Sequence, residues 1–203
     1  MERLYSTKQD EMSRAAPIAH SLEDPQTSFF VNNEDSQLRL LSYNIHGHKS
    51  IINMQSDELN DLTQNHIIVL VETWLIKTNT IGISELTNLT PSFHMSIVHA
   101  TESKKGRASG GIIILTKECV LEHRCTVVET KWNISVRLRH KKSNRYILLT
   151  AVYFNDSLDS TATTCFKNHI QSMASDFPSD MMMIVGDFNA RVGLAGQIDK
   201  DVC

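Results

Sequence analysis

Short apolar runs that end in polar or turn-forming residues recur along the chain from residue 38 to residue 189. Most of these runs are shorter than a typical helix, and several are rich in β-branched side chains, so the pattern predicts a series of β-strands. The predicted strands cover about residues 38–44, 67–71, 93–98, 112–115, 120–129, 132–139, 146–153 and 181–189. The last of them is predicted to be a buried strand, because it begins with an unbroken apolar run.

The strand at 132–139 has a different period. Its apolar side chains alternate with polar ones, which is typical of a half-buried antiparallel strand. The apolar positions are Trp132, Ile134, Val136 and Leu138.

Two segments have helical rather than strand periodicity. Residues 51–64 carry apolar side chains at roughly helical spacing, with Ser50 as the candidate N-cap. Residues 159–177 place four apolar side chains on one face, as expected for a helix packed on a sheet, and Pro178 ends it. Residues 77–92, rich in Thr, Asn and Ser, are predicted to form a loop.

The stretch from Gly106 to Gly111 is rich in turn-forming residues and precedes the apolar run at 112–115. It lacks the Gly-Lys-Ser/Thr ending of a phosphate-binding P-loop, and a strand follows it instead of a helix. We therefore interpret it as a hairpin turn that leads into a buried strand.

Composition and order along the chain indicate a single domain of mixed α and β class. Of the 203 residues, 41% are hydrophobic, which is enough for a substantial core. Residues 1–36 are polar, carry mixed charge and lack a sustained apolar period, so we expect a disordered leader there. The domain is expected to occupy residues 37–203.

Charge and cysteine content narrow the possible partners and compartments. The net charge of −3 gives no overall basic excess, so any nucleic-acid surface has to be local. The four cysteines form no C-x-x-C pair, and Cys119, His123 and Cys125 fit no common zinc spacing. With no apolar run of membrane-spanning length and no signal-peptide pattern, we expect an intracellular protein, nuclear or cytoplasmic, without a membrane partner.

Polar side chains follow four of the predicted strands at the point where each strand ends. They are Asn44, Glu72, Tyr153, Asp187 and Asn189. Each has an ordinary structural explanation when taken alone: turn former, cap, or core tyrosine with a bonded hydroxyl. The ends of neighbouring strands meet at one rim of a sheet, so the five side chains together would supply oxygen ligands suited to a hard cation such as Mg²⁺.

Five stretches in this order resemble the endonuclease/exonuclease/phosphatase family, which has the DNase I fold. The matching stretches are Leu41–Asn44, Val69–Leu75, Gly106–Ile112, Ala151–Tyr153 and Val185–Asn189. The Glu-Thr-Trp-Leu, Gly-Arg-x-Ser-Gly-Gly and Asn-Ala-Arg-Val-Gly details are most similar to the endonuclease domains of non-LTR (LINE-type) retroelements. The resemblance implies a two-sheet α/β sandwich flanked by helices.

The resemblance also implies roles for the residues at the strand ends. Glu72 is expected to bind Mg²⁺, with Mn²⁺ as an alternative, and Asn44 to support the metal and phosphate site. Tyr153 is expected to support the scissile phosphate. Asp187 and Asn189 are expected to position the attacking water and the phosphate. DNA is the partner implied for the full-length parent.

The chain departs from the family pattern in several respects. The family ends in a Ser-Asp-His motif that completes the metal and general-base sites, with a further acidic group before it, and this chain stops at Cys203 without either. The fold is therefore expected to be incomplete at the C-terminus, with an exposed edge on the second sheet. Phe154 follows Tyr153 where relatives often have proline, and His46 stands where some relatives carry an acidic metal ligand.

Three functional hypotheses remain open on the sequence. The first is a Mg²⁺-dependent nucleic-acid endonuclease domain derived from a retroelement. The second is a catalytically inactive fragment of the same fold, because loss of one member of a cooperating catalytic unit lowers the rate by orders of magnitude. The third is a phosphatase or phosphodiesterase of the same family with another substrate.

Overall fold

The computed structural model describes residues 37–103, 106–154 and 160–189. These residues contain eight strands: β1 Leu40–Asn44, β2 Ile67–Val71, β3 Phe93–Val98, β4 Ile112–Lys117, β5 Leu121–Glu129, β6 Asn133–His140, β7 Tyr146–Tyr153 and β8 Met181–Asp187. They also contain four helices: α1 Lys49–Ile52, α2 Ser56–Thr63, α3 Thr80–Leu89 and α4 Ser160–Asp176. The expected leader at 1–36 and the C-terminal part of the expected domain, residues 190–203, lie outside the described residues.

The strands form two four-stranded sheets. The first has the order β1-β2-β4-β3, with β1 parallel to β2 and the other neighbours antiparallel. The second has the order β5-β6-β7-β8, with only β7 and β8 parallel. Helix α4 connects β7 to β8, because a parallel pair needs a crossover and not a hairpin.

Two hydrophobic clusters form the core, one between the two sheets and one between the first sheet and its helices. The cluster between the two sheets takes alternate side chains from both, among them Val69 and Ile114 from the first sheet and Val136 and Leu149 from the second. The other cluster lies on the outer face of the first sheet and includes residues of α1, α2 and α3. The predicted two-sheet α/β sandwich flanked by helices is thus confirmed.

Helix α4 covers the outer face of the second sheet. Ala162 and Met173 on α4 are buried, and His169 Nε2 lies 3.1 Å from Ser135 Oγ on β6. Beyond the helix, Asp180 accepts hydrogen bonds from both Arg137 Nε and Nη2, at 2.7 and 3.1 Å. The predicted helix at 159–177 and its apolar face are confirmed.

The prediction of one helix over residues 51–64 with Ser50 as its N-cap was wrong. Residues 51–64 form no single helix: α1 ends at Ile52, and α2 begins after Gln55, whose backbone N–H donates to the Glu58 carboxylate at 3.0 Å. Such a capping interaction starts a new helix. Ser50 is not an N-cap, because it lies within α1 and its hydroxyl donates to the carbonyl of Ile45 at 2.7 Å.

Residues 77–92, predicted as a loop, contain helix α3. Asn79 caps this helix: its side-chain oxygen accepts from the Gly82 N–H at 3.0 Å. Leu86 is buried in the cluster on the outer face of the first sheet. Capping and burial together outweigh the weak helix propensity of Thr, Asn and Ser.

Two strands differ from prediction in burial. Strand β6 was expected to be half-buried, yet Asn133 and Ser135 on its polar face are also buried, because α4 and the neighbouring strands cover that face. Strand β8 was expected to be buried, yet within the described residues it is an edge strand and Ile184 is 37% exposed. An apolar run alone does not distinguish an edge strand from a central one.

The turn predicted at 106–111 leads into β4 as expected. Strands β3 and β4 pair antiparallel, and an isolated bridge joins Thr101 to Ser109 in the long connection between them. Ile112 to Leu115 are buried. None of the helices in the described part of the chain is long and apolar enough to cross a membrane.

Candidate active site

The C-terminal ends of β1, β2, β7 and β8 meet at one rim of the sandwich. The two parallel pairs bring this about, because parallel neighbours end on the same side of a sheet. Asn44 ends β1, Glu72 follows β2, Tyr153 ends β7, and Asp187 ends β8. The four predicted strand-end side chains therefore lie together, and hydrogen bonds cross from one sheet to the other between them.

Glu72 lies at the centre of one of these cross-sheet contacts. Its Oε1 accepts a hydrogen bond from the Tyr153 hydroxyl at 2.8 Å, and its Oε2 lies 2.7 Å from His46 Nδ1. The Glu72 side chain is 16% exposed, whereas His46 is 70% exposed. Both carboxylate oxygens thus have polar partners, and the carboxylate still has access to solvent.

The surroundings of Glu72 favour its ionised form. Desolvation raises the pKa of the carboxyl group, but hydrogen bonds from Tyr153, His46 and Asn44 outweigh it, so that the pKa lies below its usual value. Glu72 is therefore a carboxylate at neutral pH, which is the form that binds a hard cation.

Asn44 and Asp187 make the second contact between the sheets. Asn44 Nδ2 donates to Asp187 Oδ2 at 3.2 Å, and Asn44 Oδ1 accepts from the backbone N–H of His46 at 3.2 Å. The other oxygen of Asp187, Oδ1, accepts from the backbone N–H of Asn189 at 2.9 Å. The Asp187 carboxylate is thus oriented by donors on both of its oxygens.

Asn189 is close to Asp187 for a different reason from the one expected. A continuing strand would place residues two apart on the same face, as expected from the sequence. Instead β8 ends at Asp187, and Asn189 has a φ of 42°. The chain turns there through the bond from the Asn189 N–H to the Asp187 side chain. The Asn189 side-chain amide donates to the carbonyl of Phe154.

Left-handed backbone conformations concentrate at this rim. Four of the five non-glycine residues with positive φ in the described part of the chain lie there: His46, Glu72, Trp74 and Asn189. Such conformations cost about 1–3 kcal/mol each and persist only where the surrounding contacts impose them. At Glu72 the conformation turns the side chain away from the continuing line of β2, so that its carboxylate reaches Tyr153.

Two features of the site could not be predicted from the sequence. His46, which differs from the acidic residue of some relatives, pairs with Glu72. Arg107 lies over the Trp74 ring, with its Cζ 4.0 Å from the ring centroid. The sequence contains one indication of the Arg107–Trp74 contact: the Glu-Thr-Trp and Gly-Arg-x-Ser-Gly-Gly motifs occur in the same chain. The two motifs are adjacent in the structure, where the Trp74 N–H donates to the Gly110 carbonyl at 3.0 Å.

The donor set at the rim fits a hard divalent cation. Glu72 and Asp187 supply carboxylate oxygens and Asn44 an amide oxygen, with no thiolate among them. No cluster of three or more His, Cys, Asp or Glu side chains suited to a metal occurs in residues 37–103, 106–154 and 160–189. Mg²⁺ does not need such a cage, because it retains several waters and binds through one or two carboxylates plus substrate phosphate.

Comparison with solved structures identifies the fold. An endonuclease/exonuclease/phosphatase family protein from Bacteroides thetaiotaomicron matches with a TM-score of 0.53 at 13% identity, over 75% of this chain and 63% of that one. A mannosyl-6-phosphatase from B. thetaiotaomicron matches with a TM-score of 0.53 at 14% identity, over 75% and 65%. TDP2 from D. rerio, complexed with a single-strand DNA product, matches with a TM-score of 0.52 at 15% identity, over 80% and 65%.

These matches show a shared fold at low sequence identity. The chain has the DNase I-like fold of the endonuclease/exonuclease/phosphatase proteins, as its motifs predicted. It spans 65% or less of the length of these three structures. No protein-family model and no curated protein sequence matches the chain.

Proposed function

We propose that the chain is the Mg²⁺-dependent phosphodiester hydrolase domain of a nucleic-acid endonuclease, related to the endonuclease domains of non-LTR retroelements. The observation that carries the proposal is the hydrogen-bonded set of Glu72, Tyr153, Asn44 and Asp187, drawn from four strand ends in two sheets. Two of these residues are acidic and two are neutral hydrogen-bonding groups, a combination suited to a phosphodiester and a hard cation.

Glu72 and Asn44 would hold the cation in this proposal. When bound, Mg²⁺ supplies positive charge that offsets the charge developing on the phosphoryl group and on the leaving oxygen. Mn²⁺ is the alternative ion, because it also accepts oxygen ligands. The lowered pKa of Glu72 keeps the ligand ionised at neutral pH.

Tyr153, Asp187 and Asn189 would act on the phosphate and on the attacking water. The Tyr153 hydroxyl is oriented by Glu72 and would support the scissile phosphate. Asp187 would orient the water, because its carboxylate is held by Asn44 and by the backbone of Asn189. Asn189 would position the phosphate.

A nucleic acid is the substrate best supported by the motifs. The Gly-Arg-x-Ser-Gly-Gly and Asn-Ala-Arg-Val-Gly stretches resemble those of retroelement endonucleases, and a structure with the same fold contains a single-strand DNA product. The fold also occurs in a mannosyl-6-phosphatase, so a phosphosugar is the substrate that a test has to exclude.

The test is nicking of supercoiled plasmid by the 203-residue chain, with Mg²⁺, with Mn²⁺ and with EDTA. We expect nicking with either metal ion and none with EDTA. The isosteric changes Glu72→Gln and Asp187→Asn should each lower the rate by roughly 10²-fold or more, because each removes a charged group from the reacting centre. Nicking that persists in both variants would overturn the proposal.

A matched control separates loss of function from loss of fold. Glu85→Gln removes an exposed carboxylate from α3, away from the rim, and should leave the nicking rate unchanged. Circular dichroism of all variants should match that of the unchanged protein. Release of phosphate from mannose 6-phosphate, without plasmid nicking, would favour a phosphatase instead.

A second candidate function is binding to nucleic acid without turnover. The observation that favours it is that no histidine among the described residues forms a hydrogen bond with Asp187 or Asn189. Asp187 instead accepts hydrogen bonds from the Asn44 side chain and the Asn189 backbone N–H, and the Asn189 side chain donates to the Phe154 carbonyl. Metal-dependent binding of a DNA duplex with no nicking, even at high protein concentration, would support this candidate over the hydrolase.

A further inference from the structure

Both tryptophans of the chain carry a cation on the ring. The sequence contains only Trp74 and Trp132. Arg107 Cζ lies 4.0 Å from the centroid of the Trp74 ring, and Lys131 Nζ lies 4.1 Å from that of Trp132. We refer to Trp74 with Arg107 as the first aromatic–cation pair, and to Trp132 with Lys131 as the second.

The first pair lies at the rim of the candidate active site, on the side of the first sheet. Trp74 is two residues after Glu72, and its backbone N–H donates to the Gly110 carbonyl at 3.0 Å. Gly110 in turn is adjacent to Tyr153, since a Cβ built on it would lie 3.6 Å from that ring. Gly110, three residues after Arg107, therefore lies between Trp74 and Tyr153.

The second pair lies at the same rim, on the side of the second sheet. The Trp132 carbonyl accepts the backbone N–H of Tyr153 at 2.8 Å, so Trp132 is directly beside the candidate phosphate-binding tyrosine. Thr130 fixes this turn, because its hydroxyl accepts from the backbone N–H of Trp132 at 3.2 Å. Tyr153 is thus approached by one pair from each sheet.

The cations of the two pairs differ from the two arginines of β6 that are paired with carboxylates. Arg137 is bonded to Asp180, and Arg139 to Glu122, so a carboxylate neutralises each. Arg107 and Lys131 are exposed, and among the described residues neither has a carboxylate partner. Their charge remains available to an anionic ligand.

We propose that the two aromatic–cation pairs hold an unpaired nucleic-acid strand on either side of the phosphate at Tyr153, with bases stacked on the pairs and flanking phosphates bound by Arg107 and Lys131. Nucleic-acid bases stack on indole rings and on guanidinium planes, and exposed cations bind the phosphates of the nucleic-acid backbone. The inference rests on the proposed function, because it assigns the substrate of that site. Two separate pairs suit a polymer, whereas a phosphosugar spans one subsite.

The two tryptophans provide a direct measurement. Trp74→Phe leaves Trp132 as the only tryptophan, and Trp132→Phe leaves Trp74, so the fluorescence of each variant reports on one pair. In EDTA, short oligo(dT) should quench the fluorescence of both variants, because stacked bases quench indole emission. Mannose 6-phosphate should quench neither. Unchanged fluorescence with oligo(dT) in either variant would overturn the role of the pair it reports on.

Charge variants test the cations with the tryptophans left in place. Arg107→Ala and Lys131→Ala should each weaken oligo(dT) binding by about tenfold at low salt. Each should also reduce the slope of log K against log salt concentration by about one, the amount expected for one lost phosphate contact. Arg145→Ala is the matched control: it removes an exposed cation from the turn between β6 and β7, at the far end of the sheet, and should change neither quantity. Equal effects from all three would indicate nonspecific attraction and overturn the inference.

Plasmid nicking measured in parallel separates this inference from the proposed function. Nicking in Mg²⁺ without quenching by oligo(dT) would overturn the strand-binding role of the pairs and leave the hydrolase proposal standing. Quenching of both single-tryptophan variants without nicking would overturn hydrolysis and leave strand binding standing.

Discussion

Gly186, the residue before Asp187, shows how tightly a single position can be constrained at this site. Its φ is 131°, in a region that side-chain-bearing residues rarely adopt. A Cβ at this position would lie 2.0 Å from the carbonyl oxygen of Val152 and 2.8 Å from its nitrogen, on the neighbouring strand β7. The backbone of β8 approaches β7 this closely because no side chain intervenes, and that approach sets the position of the Asp187 carboxylate.

We predict that Gly186→Ala lowers the free energy of unfolding by about 3 kcal/mol or more, because the methyl group meets backbone that cannot move aside without breaking the β7–β8 pairing. Urea denaturation measures the change. Gly106→Ala is the matched control: Gly106 also has a positive φ, of 101°, but a Cβ there has no neighbour within 4 Å, so only the conformational cost of about 1 kcal/mol remains. Equal losses in the two variants would contradict the steric explanation.

At this scale the sequence identified the strand-end residues but not the contacts between them. Asn44, Glu72, Tyr153 and Asp187 were predictable because each follows an apolar run, and the order of the runs matched a known family. The pairing of His46 with Glu72 was not predictable, because it depends on positive φ values at both residues. Such backbone conformations are imposed by tertiary contacts, which local sequence does not reveal.

At the scale of elements, the strands were easier to predict than the helices on the outer face of the first sheet. Strands such as β2 and β4 are buried along most of their length, so their sequences are continuous apolar runs. Helices α2 and α3 are short, and each begins at a cap: the Gln55–Glu58 contact for α2 and the Asn79 side chain for α3. Composition suggests a loop where capping and a few buried side chains in fact support a helix.

We predict that Asn79→Ala lowers the free energy of unfolding by about 1 kcal/mol, because the side-chain oxygen that accepts the Gly82 N–H is lost. The change also removes the contact of its Nδ2 with His48 Nε2 at 3.3 Å. Asn79→Asp keeps the cap and should retain most of the stability. Chemical denaturation distinguishes the two variants.

Asn60→Ala provides the control for Asn79→Ala. Asn60 is an exposed residue within α2, and its replacement by alanine should be neutral or stabilise the protein by a few tenths of a kcal/mol, since alanine has the higher helix propensity. If Asn60→Ala and Asn79→Ala destabilise equally, the capping role of Asn79 is wrong.

At the scale of the whole molecule, three histidines lie where layers or strands pack together. His169 reaches from α4 to Ser135 on β6, and His123 on β5 stacks on His94 of β3, with ring centroids 4.2 Å apart. His66 precedes β2, and its Nδ1 accepts the backbone N–H of Arg39 at 3.1 Å. These positions could not be predicted from the sequence, because the partners are distant along the chain and belong to different elements.

Burial lowers the pKa of all three histidines below the usual value of 6.5. Desolvation is the main cause in each, with added repulsion from His94 at His123 and from Arg39 and Lys117 at His66. The unfolded chain therefore takes up protons at a higher pH than the folded protein does. Their contribution to stability is fully present above pH 6.5 and is lost as the pH falls from 6.5 towards the lowered values.

Glu72 responds to pH in a different range. Its pKa is lowered below the usual 4.5, so the stability it contributes is present above 4.5 and is lost only as the pH falls through the lowered value. The Glu72 carboxylate therefore contributes nothing to the change in the free energy of unfolding just below pH 6.5. Loss of stability in that range is assigned to the histidines.

We predict that the unfolding free energy decreases between about pH 8 and about pH 5.5, and that His169→Gln reduces this decrease, because the variant has no proton to gain at the contact between α4 and β6. Urea denaturation at the two pH values measures the difference. Lys167→Gln removes a positive charge from the same helix and should leave the pH dependence unchanged. If His169→Gln has the same pH dependence as the unchanged protein, then His169 is protonated as readily in the folded state as in the unfolded one, and the loss below pH 6.5 has to come from the other two contacts.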